Sequence, residues 1–360
     1  MISQEAQLNA RKCRFCYMCR HLCPVQLVTG REANTPRAKG LLLSMVDKGI
    51  TEFTPDMAEI MYECLLCNAC TDNCVTGYNP PLFIREARTE AVVREMEPPA
   101  VKKAIDRIFS TGRAFEDPVP DFGNHEPAET LLYIGEVASA KTKEMAEAVV
   151  SLLKKAGVKF MILPQEPSSG AILCDLIGYT AESQKAAEAC AKAVNETGAK
   201  TILVLDSYDQ QIMSEKYPEW GFALKPQIIS VSAYVAQLLS EGKLKVERRA
   251  DGKAAYHDDD RAARTFHEFK PGREIAKAVG YDLGEMFNHY ELAKSCGSSA
   301  AKIYMPETVK KIAAARWNDL LRTDAETMLT VNPESYECLE DAVPEGRKLE
   351  DLYQVLDQAT

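Results

Sequence analysis

"CRFCYMCRHLCP", residues 13–24, sets four cysteines at intervals of two, two and three residues and closes on a proline. The spacing returns at residues 64–75 as "CLLCNACTDNCV", with Val75 where the first run has Pro24. Thiolates are soft donors, and four in one short run serve a single compact centre. Tetrahedral zinc sites usually draw two close ligands from each of two distant segments, so four-in-a-run points away from zinc. The sequence between and around the runs reads as helix. In "NTPRAKGLLLSMVDKG" Thr35 is a cap, Pro36 takes the first helical position and Gly49 lies past the end; Thr54 and Pro55 repeat the signature in "FTPDMAEIMYECLLC". Leu42, Met45, Met57, Ile60 and Met61 recur at helical spacing and are expected in the core.

Each run matches the ligand pattern of a [4Fe–4S] cluster in bacterial ferredoxins. In two-cluster ferredoxins the fourth cysteine of each run crosses to the other cube. On that pattern Cys13, Cys16, Cys19 and Cys74 hold cluster one, and Cys64, Cys67, Cys70 and Cys23 hold cluster two. The proline missing at Val75 fixes backbone but donates nothing to iron. Residues 1–111 are therefore expected to form an α-helical ferredoxin-like domain with two [4Fe–4S] clusters. A proline-rich, charged linker follows near residues 112–128.

From residue 129 the pattern changes. "ETLLYIG", "VKFMIL" and "AKTILVL" read as strands, alternating with the helices "KTKEMAEAVVSLLKKAG" and "ESQKAAEACAKAVNETG". Such alternation predicts βαβ units on a parallel sheet. "KLKVERRADGKAAYH" reads as a hairpin turning at Asp251-Gly252. The plan then repeats: "SSGAILC" at 168 matches "SCGSSAA" at 295, and "TILVLDSYDQQI" matches "TMLTVNPESYECL". The expected fold is a helical two-cluster module followed by a duplicated α/β region, with units at 129–242 and 243–360.

The chain has 360 residues, 46% hydrophobic and 27% charged, with a formal net charge of −10, which argues against general nucleic-acid binding. Charge is uneven: residues 1–40 hold seven Lys/Arg against two Glu, whereas residues 51–100 hold nine acids against three Arg. A basic face beside the first run could meet an acidic partner or simply be solvated. The start "MISQEAQLNARKC" has no apolar core, and "GLLLSMV" is far too short to span a bilayer. A cytosolic location is expected, with any membrane association made through a partner. Thiols stay reduced there, so the 12 cysteines imply metal or catalysis rather than disulfides. Outside the runs, Cys174 and Cys190 fit apolar packing; Cys296 is a weak candidate reactive thiol and Cys338 could approach it. "YHDDDRAAR", with His257, Asp258, Asp259 and Asp260, reads as structural. "GEVASAK" is no phosphate loop, so no flavin or nucleotide is expected on this chain.

Taken together, these features resemble the iron–sulfur subunits of heterodisulfide reductase (D-type) and glycolate oxidase, ferredoxin modules followed by two cysteine-rich "CCG" domains. "NTPRAKG", "KKAGVKFMILPQE", "YHDDDRAAR", "PGREIAKAVG" and "KSCGSSAA" carry the likeness over nearly the whole chain. In that family each CCG domain offers a lone Cys, then Cys-Cys-Gly, then Cys-x-x-Cys. Here those positions hold Glu136, Ser168-Ser169-Gly170, Asp206 and Asp209 in the first copy, and Asp260, Ser295-Cys296-Gly297, Asn332 and Ser335 in the second. Carboxylates and hydroxyls suit harder ions than iron–sulfur clusters need, so the resemblance implies CCG domains without a cluster. It implies an electron-transfer subunit working with a flavin-containing dehydrogenase, an electron-transfer flavoprotein or a heterodisulfide-reductase-like flavoprotein. The alternative is an active heterodisulfide or thiol–disulfide reductase using Cys296 with an atypical cofactor.

Overall fold

The computed structural model describes residues 2–248, 250 and 252–360. The capped helices form as their signatures require. Pro36–Asp47 begins where Thr35 accepts a hydrogen bond from the Ala38 N–H, and Pro55–Tyr62 where Thr54 accepts one from Met57. Met57 and Met61 are buried; in the earlier helix Leu43 is buried, with Leu42 and Met45 half-buried. Pro80–Val93 and Pro99–Thr111 complete the helical part, both started by proline. Its core is built from Leu43, Met61, Phe83, Ile84 and Ala87, and runs on into Leu173 and Ile177 of the following α/β unit.

Residues 113–129 contain neither helix nor strand. Beyond them lie two separate parallel sheets. The first takes β1 (Thr130–Tyr133), β2 (Thr201–Val204) and β3 (Gln227–Ser230) in the order β1-β2-β3, with Leu131 opposite Ile202 and Ile202 opposite Ile228. The second takes β4 (Lys253–Tyr256), β5 (Asp282–Gly284), β6 (Thr327–Thr330) and β7 (Lys348–Asp351) in the order β5-β4-β6-β7. Buried apolar residues on the strands meet helices such as Lys143–Lys155 and Leu352–Ala359, which pack together and join the two units in one core.

Two expected elements differ. "VKFMIL" supplies only a single bridge, Met161 to Leu131, rather than a strand. The hairpin does not form: β4 has only parallel partners, and residues 243–248 are irregular. Asp251, the first residue of the expected turn, lies outside the described residues. A turn dipeptide specifies a hairpin only when two flanking strands can pair. Here the alternative partners β5 and β6 bury β4 on both edges.

Candidate iron–sulfur site

The two cysteine runs adopt the same unusual backbone. Phe15 and Tyr17 flank Cys16 with φ of 56° and 67°; Leu66 and Asn68 flank Cys67 with 55° and 61°. These are left-handed conformations that side-chain-bearing residues avoid, at a cost of about 1–2 kcal/mol each. In both runs the amide two residues after the first cysteine turns back onto its sulfur: Phe15 N–H on Cys13 Sγ and Leu66 N–H on Cys64 Sγ, each at 3.4 Å. Strain repeated at matching positions wraps each loop around its own thiols.

The thiols fall into two groups. Cys19 feels the charges of Cys13, Cys16 and Cys74, whereas Cys23 feels those of Cys64 and Cys67. Cys70 belongs with Cys67, Cys64 and Cys23, and also senses Cys19, so the groups adjoin. The fourth cysteine of each run thus lies with the opposite run. Burial pushes the Cys19 and Cys67 thiols up to about 11 and Cys23 to about 12, and cysteine neighbours add to each rise. Without a cation such thiols keep their protons; a bound metal centre replaces those protons. Among the described residues no three His, Cys, Asp or Glu side chains converge as for a single metal ion. A four-iron cube takes its thiolates at its corners, more widely spread.

Exposure differs at one cysteine of each group, the other six being half-buried. Cys16 is the exposed cysteine of the twelve, whereas Cys23 is buried beneath Val25, Leu65 and Trp317. Cys23, Cys64, Cys67 and Cys70 line one small cavity together with Asn34 and Lys39. Several cations stand behind these thiols, and the sequence patterns give little notice of them. Lys39, 1% exposed, donates to the Ile60 carbonyl and lies near Cys23 and Cys64, while burial lowers its pKa. Arg88, fully buried, donates to the carbonyls of Cys64 (2.6 Å), Tyr62 (3.2 Å) and Asp175 (2.6 Å). Arg264, from the second α/β unit, donates to the Cys67 carbonyl at 2.7 Å and to that of Ala293. The only sequence signal was a cation at a helix position facing the core. Tyr78 stands between the groups, its hydroxyl donating to Pro36 O at 2.8 Å. It fills the space beside Gly40, where any Cβ would collide with the ring.

Several of the residues that the resemblance sets at thiolate positions also meet, as a polar network. Ser168 Oγ donates to Glu136 at 3.1 Å and Ser169 Oγ donates to Asp209. Asp206 accepts from the Tyr208 N–H at 2.8 Å. In the second α/β unit Cys296 Sγ lies 3.8 Å from Ser335 O, and Asn332 caps its helix by accepting from the Ser335 N–H. Asn332 Nδ2 reaches Ser207 Oγ at 3.2 Å, joining the two α/β units, and Arg261 lies over the Tyr208 ring with its guanidinium on Asp175. Cys338 packs beside Gly297 and feels the charge of Cys296. Both thiols are buried, and burial raises their pKa, the reverse of an activated nucleophile. Cys174 and Cys190 are fully buried among apolar neighbours.

The three residues His257, Asp258 and Asp259 of "YHDDDRAAR" are held in structural contacts, whereas its last residue, Arg264, is the one that reaches the Cys67 carbonyl. His257 accepts from Arg316 at 3.0 Å, Asp258 forms a two-pronged pair with Arg273 at 2.6 and 2.8 Å, and Asp259 caps the helix Asp260–Thr265. The turn after β1 is closed by a carboxylate of the chain itself: Glu166 accepts from the Ile134 and Gly135 N–H groups at 2.9 and 2.8 Å. A cleft of about 910 Å³ opens there, walled by Arg113, Glu136 and Glu166, away from the cysteine runs.

Residues 9–78 match the family described as "4Fe-4S dicluster domain". Over 331 residues the chain is 22% identical to the D-type subunit of the dihydromethanophenazine:CoB–CoM heterodisulfide reductase of Methanosarcina barkeri, covering 86% of this chain and 79% of that protein. It is 23% identical to the glycolate oxidase iron–sulfur subunit of Escherichia coli, covering 91% and 89%. Two longer relatives, at 24% and 26% identity, are matched over only 46% and 41% of their length, so the chain spans less than half of them. A hypothetical protein from Helicobacter pylori shares the fold, with a TM-score of 0.60 at 12% identity over 99% of this chain and 73% of that one. Among the described residues no helix is long and apolar enough to cross a membrane.

Proposed function

From kinship with these iron–sulfur subunits, we propose that the chain is the electron-transfer subunit of a multi-subunit oxidoreductase, exchanging electrons with a flavoprotein. Cys13, Cys16, Cys19 and Cys74 would hold one [4Fe–4S] cluster, and Cys64, Cys67, Cys70 and Cys23 a second. When bound, each cube supplies a one-electron site. The chain's own residues set the rest. Lys39, Arg88 and Arg264 place positive charge and oriented dipoles beside the buried thiols, which favours the more negative, reduced state of whatever centre they hold. The α/β units at 129–242 and 243–360 act as two degenerate CCG domains, docking platforms without their own cluster. There, Ser168 pairs with Glu136 and Ser169 with Asp209 at positions where the family has thiolates.

The observation that carries this reading is the crossed grouping of thiols on two loops with the same left-handed strain. Anaerobically purified protein should contain about eight iron and eight sulfide per chain, and Cys74→Ser should leave about four of each. Zinc in place of iron, or an unchanged iron count in Cys74→Ser, would defeat the proposal. The reductase reading through Cys296 requires an accessible thiolate. Its test is thiol–disulfide exchange that disappears in Cys296→Ser while the iron content stays constant.

A further inference from the structure

We infer that the face around Cys16 is the docking surface for an acidic electron-transfer protein, one whose apolar contact area is ringed by carboxylates. The inference rests on the proposed function, because it takes the outer thiol group as the point where electrons cross the surface.

Three features coincide there. The first is access, since Cys16 alone among the cysteines is exposed. The second is apolar area. Phe15, Tyr17 and Met18 are 49%, 45% and 55% exposed around it, and Val75, next to Cys74, is 98% exposed. Large side chains in that number around one point are out of keeping with a merely solvated loop. Arg37 stacks over the Tyr17 ring at 4.3 Å and the Phe15 ring at 5.6 Å, so the patch is held rather than loose. Lys12 Nζ reaches Gly77 O at 3.3 Å, which brings the segment bearing Val75 against the first run.

The third feature is charge. Lys12, Arg14 and Arg20 are exposed in this face, and among the described residues none has a carboxylate partner. Two of the acids nearby are committed elsewhere, Asp47 to Arg11 and Glu32 to Arg37, while Asp72, on the short helix Ala69–Asp72 beside Met18–Leu22, is exposed outside any ion pair among the described residues. An uncompensated basic ring on a chain of net charge −10 orients an approaching acidic partner towards Cys16, while the rest of the surface repels it. An apolar centre with a charged rim is the anatomy of a transient protein interface.

The probes are flavodoxin, an acidic one-electron flavoprotein, and the paramagnetic ions hexacyanochromate(III) and tris(ethylenediamine)chromium(III). In full-length, cluster-loaded protein the anion should broaden the Met18 methyl resonance at about one tenth of the concentration the cation needs, against the sign of the whole chain. Electron exchange with flavodoxin should slow as salt rises and fall about tenfold or more in Arg14→Glu/Arg20→Glu. That variant should also reverse the order of the two ions, while Arg14→Gln/Arg20→Gln gives an intermediate result. The cation winning at Met18 in the wild type would overturn the inference, as would flavodoxin exchange indifferent to salt and to both variants. Iron and sulfide counts separate the two ideas: a chain lacking cubes refutes the proposed function, whereas a loaded chain without this charge preference refutes the docking face alone.

Discussion

Glu166 shows how one buried carboxylate closes a site and makes stability depend on pH. It accepts the two N–H groups at the turn after β1, where an open α/β sheet often receives an anionic ligand. Burial outweighs those hydrogen bonds and raises its pKa to about 7. The folded state therefore holds this proton over a range in which the unfolded chain, titrating near 4.5, has lost it. Its contribution to stability is complete below the unfolded value and is lost as pH rises through about 7. The total is about 3 kcal/mol. Urea unfolding of Glu166→Gln should show a flatter stability profile between pH 5 and 7.5 than the wild type; parallel profiles would exclude Glu166 as the source. Lys39 and Arg88 are buried cations under the same constraint. Each is tolerated inside only because backbone carbonyls and thiols surround it.

At the level of elements, the helix Pro80–Val93 is the spine between the cysteine loops and the α/β region. Its Arg88 reaches the Cys64 and Asp175 carbonyls, and its Thr89 hydroxyl donates to Ile177 O at 2.7 Å. The helix Ala171–Ile177 can lie this close because it ends at Gly178, in left-handed conformation at φ 77°. A Cβ there would stand 2.7 Å from the Arg85 carbonyl oxygen. Gly178→Ala should therefore lower stability by about 2–3 kcal/mol, through backbone strain and a forced separation of the two helices. A denaturation midpoint shifted without change in m-value would confirm it, and an unshifted midpoint would show that the contact yields freely. The capped helices were legible because caps are local. "VKFMIL" and the strand expected before β4 misled because pairing of a short run depends on which distant strand offers an edge.

Across the whole molecule, cysteine loops and α/β units are bonded into one body. Arg264 holds the Cys67 loop from the second unit, Tyr62 donates to Leu176 O at 2.7 Å, and Cys23 shares a core with Cys296 and Cys338. Loss of iron should therefore be felt far from the cysteine runs. Stripping iron with a chelator under oxidising conditions should lower the melting temperature of the entire chain by on the order of 10 °C or more. The Trp317 environment, fully buried against Leu339 O, should report the same shift by fluorescence. An unchanged Trp317 transition in iron-free protein would mean the units fold independently.

The eight cysteines by the amino end, their two runs and the scarcity of thiols beyond residue 128 were legible from residue identity and spacing, since ligand chemistry is written in the donor atoms themselves. So were the helix starts at Thr35 and Thr54. Other features arose only in three dimensions: the burial of Cys23 and the exposure of Cys16, the cations Lys39, Arg88 and Arg264, and the polar network around Glu136, Ser169 and Asp209. Burial, electrostatic neighbourhood and strand pairing are sums over residues far apart in the chain, and no local pattern encodes such a sum.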